Sequence, residues 1–190
     1  VVALVGSSDS GKSSLLRGLA MAIVAGKEEY IGFALHPRYR RAMYISTEDD
    51  EVSLSKLMRM QIMDGDIATY SGLHFVFDTD NLLETIELGL KSNTPDLVIV
   101  DAFADLYTGP MNENNRVRSF INAFQQLAVK YNTLVIFLHH TGKRTESLAP
   151  SKHNAIGSQG FEAKMRLMME LRPDPERYDI RHLCMVKGNY

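Results

Sequence analysis

Eight residues near the start of the chain, Gly6-Ser7-Ser8-Asp9-Ser10-Gly11-Lys12-Ser13, have the spacing GxxxxGK[ST]. They follow an apolar, strand-like run over residues 1–5 and precede residues 14–23, which have the pattern of a helix. A glycine-rich loop between a strand and a helix turns its backbone N–H groups inward, where they hold phosphate. The lysine of such a loop reaches the β- and γ-phosphates, and the hydroxyl after it can bind Mg²⁺. The competing interpretation, a Gly/Ser surface turn that contains a lysine, leaves the flanking strand and helix unexplained.

The first two thirds of the chain alternate short apolar runs with amphipathic stretches. Strand patterns cover residues 42–46, 73–77, 97–101 and 133–140. Helical spacing of apolar side chains covers 54–62, after an acidic cluster at 47–51, and also 82–90 and 117–128. After a polar and apparently structureless stretch over residues 141–157, a Pro-Asp-Pro turn separates two further strand patterns, the second over 178–186. We therefore predict an α/β fold of three αβα layers, with a mostly parallel central sheet and an antiparallel hairpin at its C-terminal edge.

Composition limits the classes of protein that this chain can belong to. With 190 residues, 45% of them hydrophobic, it has material for one sizeable core, so we predict a single domain over residues 1–190. The net charge of −2 means that any contact with nucleic acid must come from a local patch. A lone cysteine, Cys184, among ten methionines, without an apolar run of membrane-spanning length, favours a cytoplasmic location and no membrane contact. Because the chain opens inside its first strand, we expect it to be part of a longer protein.

Two carboxylates stand at predicted strand ends. Asp101 closes the apolar run 97–101, where it can hold Mg²⁺ beside the phosphate loop, and the alternative role is that of a helix-capping acid. Because Ala102 follows instead of a second acid, a base that activates water must come from another strand. Glu48, just past the strand at 42–46, faces the same crevice if the two strands are neighbours. Its alternative role is to open the next helix together with its acidic neighbours.

The strand at 133–140 ends in two histidines. Since side chains alternate along a strand, one histidine points into the packing and the other, His140, points toward the crevice. A polar group there can bond the γ-phosphate and report its hydrolysis to the next loop. Both histidines can equally be structural groups.

The loop after this strand is basic. It contains Lys143, Arg144, Lys152, His153 and Asn154 against the single acid Glu146, and it has no aromatic residue. Its place after the possible sensor favours a nucleotide-gated contact with a polyanion, while base stacking has no support. A disordered, solvated loop is the competing interpretation.

The chain resembles the RecA-like ATPases in its phosphate loop, Glu48, Asp101, the His139-His140 strand end and the segment Lys187-Gly188-Asn189. Within that class it is similar to the plasmid RepA-type and DnaB-type hexameric helicases. Residues 137–143 followed by 155–158 are similar to the RepA-type pattern in particular.

This resemblance implies a ring of identical subunits, with six as the expected number. Glu48 would be the catalytic base, and His140 would stand where related helicases have a glutamine that senses the γ-phosphate. Lys187 would reach the nucleotide of a neighbouring subunit. Loops 107–115 and 141–157 would line a channel for single-stranded nucleic acid.

We therefore expect a Mg-ATP hydrolase that moves along single-stranded DNA, with ATP and Mg²⁺ as cofactors. The predicted site residues are Gly6, Ser7, Ser8, Asp9, Ser10, Gly11, Lys12, Ser13 and Ser14 for phosphate, Ser13 and Asp101 for Mg²⁺, Lys12, Glu48, Asp101 and His140 for catalysis, Lys187 for the contact between subunits, and Lys143, Arg144 and Lys152 for nucleic acid. One alternative is an ATP-gated regulatory or scaffold module that acts on a protein. Another is a small-molecule kinase, which is disfavoured if the strand carrying Glu48 lies between the phosphate loop and Asp101.

Overall fold

The computed structural model describes residues 1–62, 66–145, 147–156 and 159–188, with only the backbone of Lys143. Glu146, Gly157, Ser158 and Asn189, which belong to segments discussed above, lie outside the described residues.

Strands and helices alternate along the described chain. The strands are β1 Val2–Gly6, β2 Glu29–Tyr30, β3 Phe33–Ala34, β4 Ala42–Ser46, β5 Leu73–Val76, β6 Leu97–Asp101, β7 Leu134–His140, β8 Leu167–Pro173 and β9 Arg181–Gly188. The helices are α1 Lys12–Val24, α2 Glu51–Gln61, α3 Leu82–Ser92, α4 Phe103–Leu106, α5 Asn114–Tyr131 and α6 Gln159–Lys164. Short 3₁₀ turns cover Ile67–Tyr70, Lys143–Thr145 and Lys152–Asn154. None of the described helices combines the length and the apolar character that crossing a membrane requires.

Seven strands form one sheet in the order β5-β4-β6-β7-β1-β8-β9. All neighbours in it are parallel except β8 and β9, which form the antiparallel hairpin predicted at the edge. The predicted fold class is therefore confirmed. The strand between β1 and β6 is β7, so the expectation that the strand carrying Glu48 lies there is wrong. A parallel sheet joins its strands by helical crossovers, and the crossover through α5 returns the chain to the β1 side of β6.

Helices cover both faces of the sheet. Strand residues such as Ala3 and Val5 point to the face covered by α3, α5 and α6, and Leu4 points to the face covered by α1. This alternation is the two-residue period of a strand, and it produces two separate hydrophobic cores. Three layers result, as the sequence predicts.

The structure corrects several expected boundaries. Residues 141–145 and 147–156 are not structureless, because Thr141 forms an isolated bridge with Ala155 and two 3₁₀ turns lie in between. The final strand begins at Arg181 and not at residue 178, since the Asp174 carboxylate holds the preceding turn through the N–H groups of Glu176 and Arg177. The short elements β2, β3, α4 and α6 were not predicted, because two to six residues are too few to show a hydrophobic period.

Candidate active site

The loop between β1 and α1 depends on two glycines for different reasons. A Cβ on Gly6 would stand 2.5 Å from the carbonyl oxygen of Leu171 on β8, so the close approach of these strands requires glycine. Gly11 has open space around it but a φ of +95°, a left-handed conformation that favours glycine. Helix α1 then begins without a side-chain cap. Its first N–H groups are therefore suited to an anionic ligand such as phosphate.

Lys12 lies at the centre of this loop and is only 6% exposed. Its Nζ donates hydrogen bonds to the carbonyl oxygens of Gly6, at 3.1 Å, and Ser7, at 2.7 Å. Burial lowers the pKa of this amine, and the nearby carboxylates of Asp101 and Glu48 oppose that shift. A bound phosphate would supply negative charge that the loop carbonyls do not.

Asp101 ends β6 beside the loop and is 5% exposed. Burial raises the pKa of its carboxyl group, while hydrogen bonds from the hydroxyls of Tyr44 and Ser13 lower it. Ser13 and Asp101 line the same cleft and present the hard oxygen donors that Mg²⁺ prefers, so these residues fit the metal. Bound Mg²⁺ would neutralise the buried carboxylate and stabilise negative charge on the phosphates.

Glu48 reaches the same site because β4 and β6 are neighbours in the sheet. Their register pairs Ser46 with Asp101, which places both strand ends at one level. Hydrogen bonds of Thr47 connect the two strand ends. Its N–H donates to the Asp101 carbonyl oxygen at 2.8 Å, and its hydroxyl oxygen accepts from the N–H of Ala102 at 2.9 Å. Glu48 follows Thr47, and its carboxylate is half exposed toward the crevice.

The two histidines that end β7 point in different directions. The Nε2 of His140 lies 3.3 Å from Glu48 Oε1, whereas His139 is buried, with its Nε2 2.5 Å from the carbonyl oxygen of Ile156. The His139 ring packs against Phe103 and Phe161. Burial lowers the pKa of His139 to about 4, so the ring is neutral at physiological pH and donates through Nε2.

These groups surround one cleft of about 510 Å³. It is lined by Ser8, Asp9, Gly11, Lys12, Ser13, Ser14, Glu48, Asp101, Ala102, Leu138 and His140. The structure therefore brings Lys12, Glu48, Asp101 and His140 together. A phosphate on the loop would face a carboxylate and an imidazole across the cleft, which is an arrangement suited to positioning a water molecule.

The basic residues of the loop after β7 are largely engaged within the domain. Lys152 Nζ lies 2.8 Å from Glu162 Oε1, and His153 Nδ1 lies 3.4 Å from the other oxygen of the same carboxylate. Arg144 is exposed, and the side chain of Lys143 is not described. The loop therefore presents fewer available charges than its composition indicates.

The same loop is anchored to β8 by a buried acid. Glu170 is 1% exposed and accepts hydrogen bonds from Ser151 N, at 2.9 Å, and from Asn154 Nδ2, at 3.1 Å. It also forms an ion pair with Arg172 at 2.9 Å. Sequence reasoning missed this acid, because its place in an alternating strand pattern resembles that of a solvated residue.

Lys187 lies outside the cleft of its own chain. Its Nζ donates to the carbonyl oxygen of Glu162 at 2.7 Å, on the face covered by α6. The other end of β9 does reach the phosphate loop, where Arg181 Nε donates to the Ser10 carbonyl oxygen at 3.1 Å. Only the tertiary structure reveals that contact, since the two positions are 171 residues apart in sequence.

Two further residues interact with Asp101, in the part of the cleft where Mg²⁺ would bind. Tyr44, fully buried in β4, donates its hydroxyl to Asp101, and the buried guanidinium of Arg17 favours the ionised form of the same carboxyl. Arg17 follows Ser13 by four residues, a spacing that places both on one face of α1. That spacing could have identified Arg17 from the sequence.

The strand order and the cleft define a P-loop ATPase domain of the RecA-like type. A protein-family model described as "AAA domain" matches residues 1–146, well over half of the chain. The chain therefore belongs to this family of AAA-type P-loop ATPases. A search of curated proteins found no match.

Proposed function

We propose that this domain hydrolyses Mg-ATP and that, in a ring of identical subunits, hydrolysis drives movement along single-stranded DNA. Water attacks the γ-phosphate in this proposal, with Glu48 as the base. The observation that carries it is the contact of Glu48 with His140 across the cleft from Lys12 and Asp101. Lys12 binds the phosphates, Ser13 and Asp101 hold Mg²⁺, and His140 senses whether the γ-phosphate is present.

The hydrolytic step is tested by the variant Glu48→Gln. We expect turnover to fall by about 100-fold to about 10,000-fold, because the amide cannot accept a proton from water, while ATP affinity is retained. Glu51→Gln is the matched control, since it removes an exposed acid from the start of α2. Turnover retained in Glu48→Gln would exclude Glu48 as the base.

The sensor role of His140 has its own test. His140→Gln keeps a polar group that can bond the γ-phosphate, so we expect it to retain more turnover than His140→Ala. ATP affinity should change little in either variant, because the loop and Lys12 provide most of the phosphate contacts. Equal activity of both variants with the wild type would remove His140 from the mechanism.

The ring is supported by the resemblance to hexameric helicases and by the position of Lys187 away from its own cleft. In mixed assemblies of wild-type and Lys187→Ala subunits, a contact between subunits predicts a larger loss of activity than simple dilution. Lys187→Arg, which keeps the positive charge, serves as the matched variant. Activity that falls only in proportion to the variant fraction would contradict the contact.

A second candidate is an ATP-gated regulatory module that acts on a protein partner. It is favoured by the ion pairs of Lys152 and His153 with Glu162, which leave the loop after β7 with few charges for DNA. ATP turnover measured at low salt with and without single-stranded DNA separates the two candidates. Stimulation supports the translocase, and unchanged turnover supports the regulatory module.

A further inference from the structure

A second basic segment lies where β4, β6 and β7 begin. The cleft is at the other end of these strands. Three arginines, Arg38, Arg40 and Arg41, fall within four residues in this basic segment. None of their guanidinium groups forms an ion pair or hydrogen bond with another side chain among the described residues. Lys152 and His153, by contrast, already share an acid. Three arginines without an acidic side-chain partner among the described residues therefore lie close together in this segment.

The backbone of this segment is held in a defined shape by Asp96, at the start of β6. The carboxylate accepts the N–H groups of Arg38 at 2.8 Å, Tyr39 at 3.0 Å and Arg41 at 3.4 Å. The residue between them, Arg40, has a φ of +53°, a left-handed conformation that is uncommon for arginine. The backbone of this turn is thus preorganised, which lowers the entropy lost when the segment binds a partner.

Two aromatic rings close in sequence to these arginines are exposed. Tyr39 is 47% exposed within the turn, and Phe33, on the short β2–β3 hairpin, is 63% exposed. The hairpin turns through Ile31 and Gly32, both at positive φ. Exposed rings near arginines that have no side-chain partner in the described part of the chain are the combination with which proteins stack on bases and track a phosphate backbone.

We propose that Phe33, Arg38, Tyr39, Arg40 and Arg41, which we name the basic-aromatic surface, bind single-stranded nucleic acid. The guanidinium groups contact phosphates, and the rings of Phe33 and Tyr39 stack on bases. This inference rests on the translocase part of the proposed function and is independent of ATP hydrolysis.

The first test measures binding of labelled oligothymidylate by fluorescence anisotropy without ATP, over a range of salt concentrations. Arg38→Ala/Arg40→Ala removes two phosphate contacts, so the slope of log Kd against log salt should become shallower by about 1.4. Arg59→Ala/Arg177→Ala removes the same charge from exposed positions on α2 and in the turn before β9, and should leave the slope unchanged.

The second test separates stacking from charge. Phe33→Ala should weaken binding by roughly 5-fold or more while leaving the salt slope unchanged, because a stacking ring carries no charge. ATP turnover without DNA should match the wild type in every variant, since these residues lie far from the cleft.

If wild-type protein binds the oligonucleotide and Arg38→Ala/Arg40→Ala binds it with the same affinity and slope, the basic-aromatic surface is excluded and the translocase proposal stands. If wild-type protein does not bind the oligonucleotide at low salt, both the basic-aromatic surface and the translocase proposal are excluded. Variants that instead change the sedimentation of the protein, with DNA affinity intact, would identify the surface as a contact between subunits and overturn the inference.

Discussion

Acid should destabilise this domain through His139, the buried histidine at the end of β7. Its pKa is about 4 in the folded chain and about 6.5 when unfolded, because burial disfavours the charged ring. The depressed pKa means that the full stability is present above about pH 6.5 and is lost as the pH falls toward about 4. Between about pH 7 and about pH 5, this one group should lower the free energy of unfolding by about 2 kcal/mol.

Protonation of His139 would also affect the loop after β7, because the ring is bonded to Ile156 in that loop. The neutral ring donates to the Ile156 carbonyl oxygen and packs on Phe103 and Phe161, while the charges of His140 and Lys12 oppose protonation. Charging the ring therefore places an uncompensated cation in an aromatic cluster.

Urea denaturation followed by circular dichroism measures this loss, since the chain has no tryptophan. His139→Gln should be less stable than the wild type at about pH 7, yet lose about 2 kcal/mol less on acidification to about pH 5. His36→Gln, which replaces an exposed histidine, should keep the wild-type dependence on pH. Equal losses in the wild type and His139→Gln would refute the assignment of a buried neutral histidine.

Three further substitutions test the packing around the site. Gly6→Ala should cost about 1–3 kcal/mol in thermal or urea unfolding and weaken ATP binding, because its Cβ meets a backbone oxygen at 2.5 Å, whereas Gly142→Ala, with its nearest atom at 3.9 Å, should be nearly neutral. Phe103→Ala, in the centre of five ring contacts, should cost about 3–5 kcal/mol in urea unfolding, and a loss below about 1 kcal/mol would contradict the packing. Glu170→Gln should speed trypsin cleavage after the exposed Arg144, because it breaks the buried pair that anchors this loop, and an unchanged cleavage rate would show that the anchor lies elsewhere.

Local sequence patterns were sufficient to predict the phosphate loop and the main strands of the sheet. The GxxxxGK[ST] spacing requires neighbours only along the chain, and runs such as residues 97–101 carry the signal of a strand buried on both faces. Asp101 and Glu48 were identified because parallel strands expose their carboxyl ends at one edge of a sheet. Their joint position still depended on β4 pairing with β6, which the alternation of elements leaves open.

The sequence by itself determined the αβα class, the phosphate loop and the candidate residues at the strand ends, because each depends on short-range periodicity or on fixed spacing. Only the tertiary structure decided that β7 separates β1 from β6 and that Glu48 meets His140. It also decided that Lys152 is already paired, whereas Arg38 and Arg40 have no acidic partner among the residues that the structure describes. In the sequence, these basic residues carry the same charge, and nothing distinguishes the paired ones from the others. Their difference comes from which acid the folded chain brings within hydrogen-bonding distance, and that is set by packing between segments far apart in sequence.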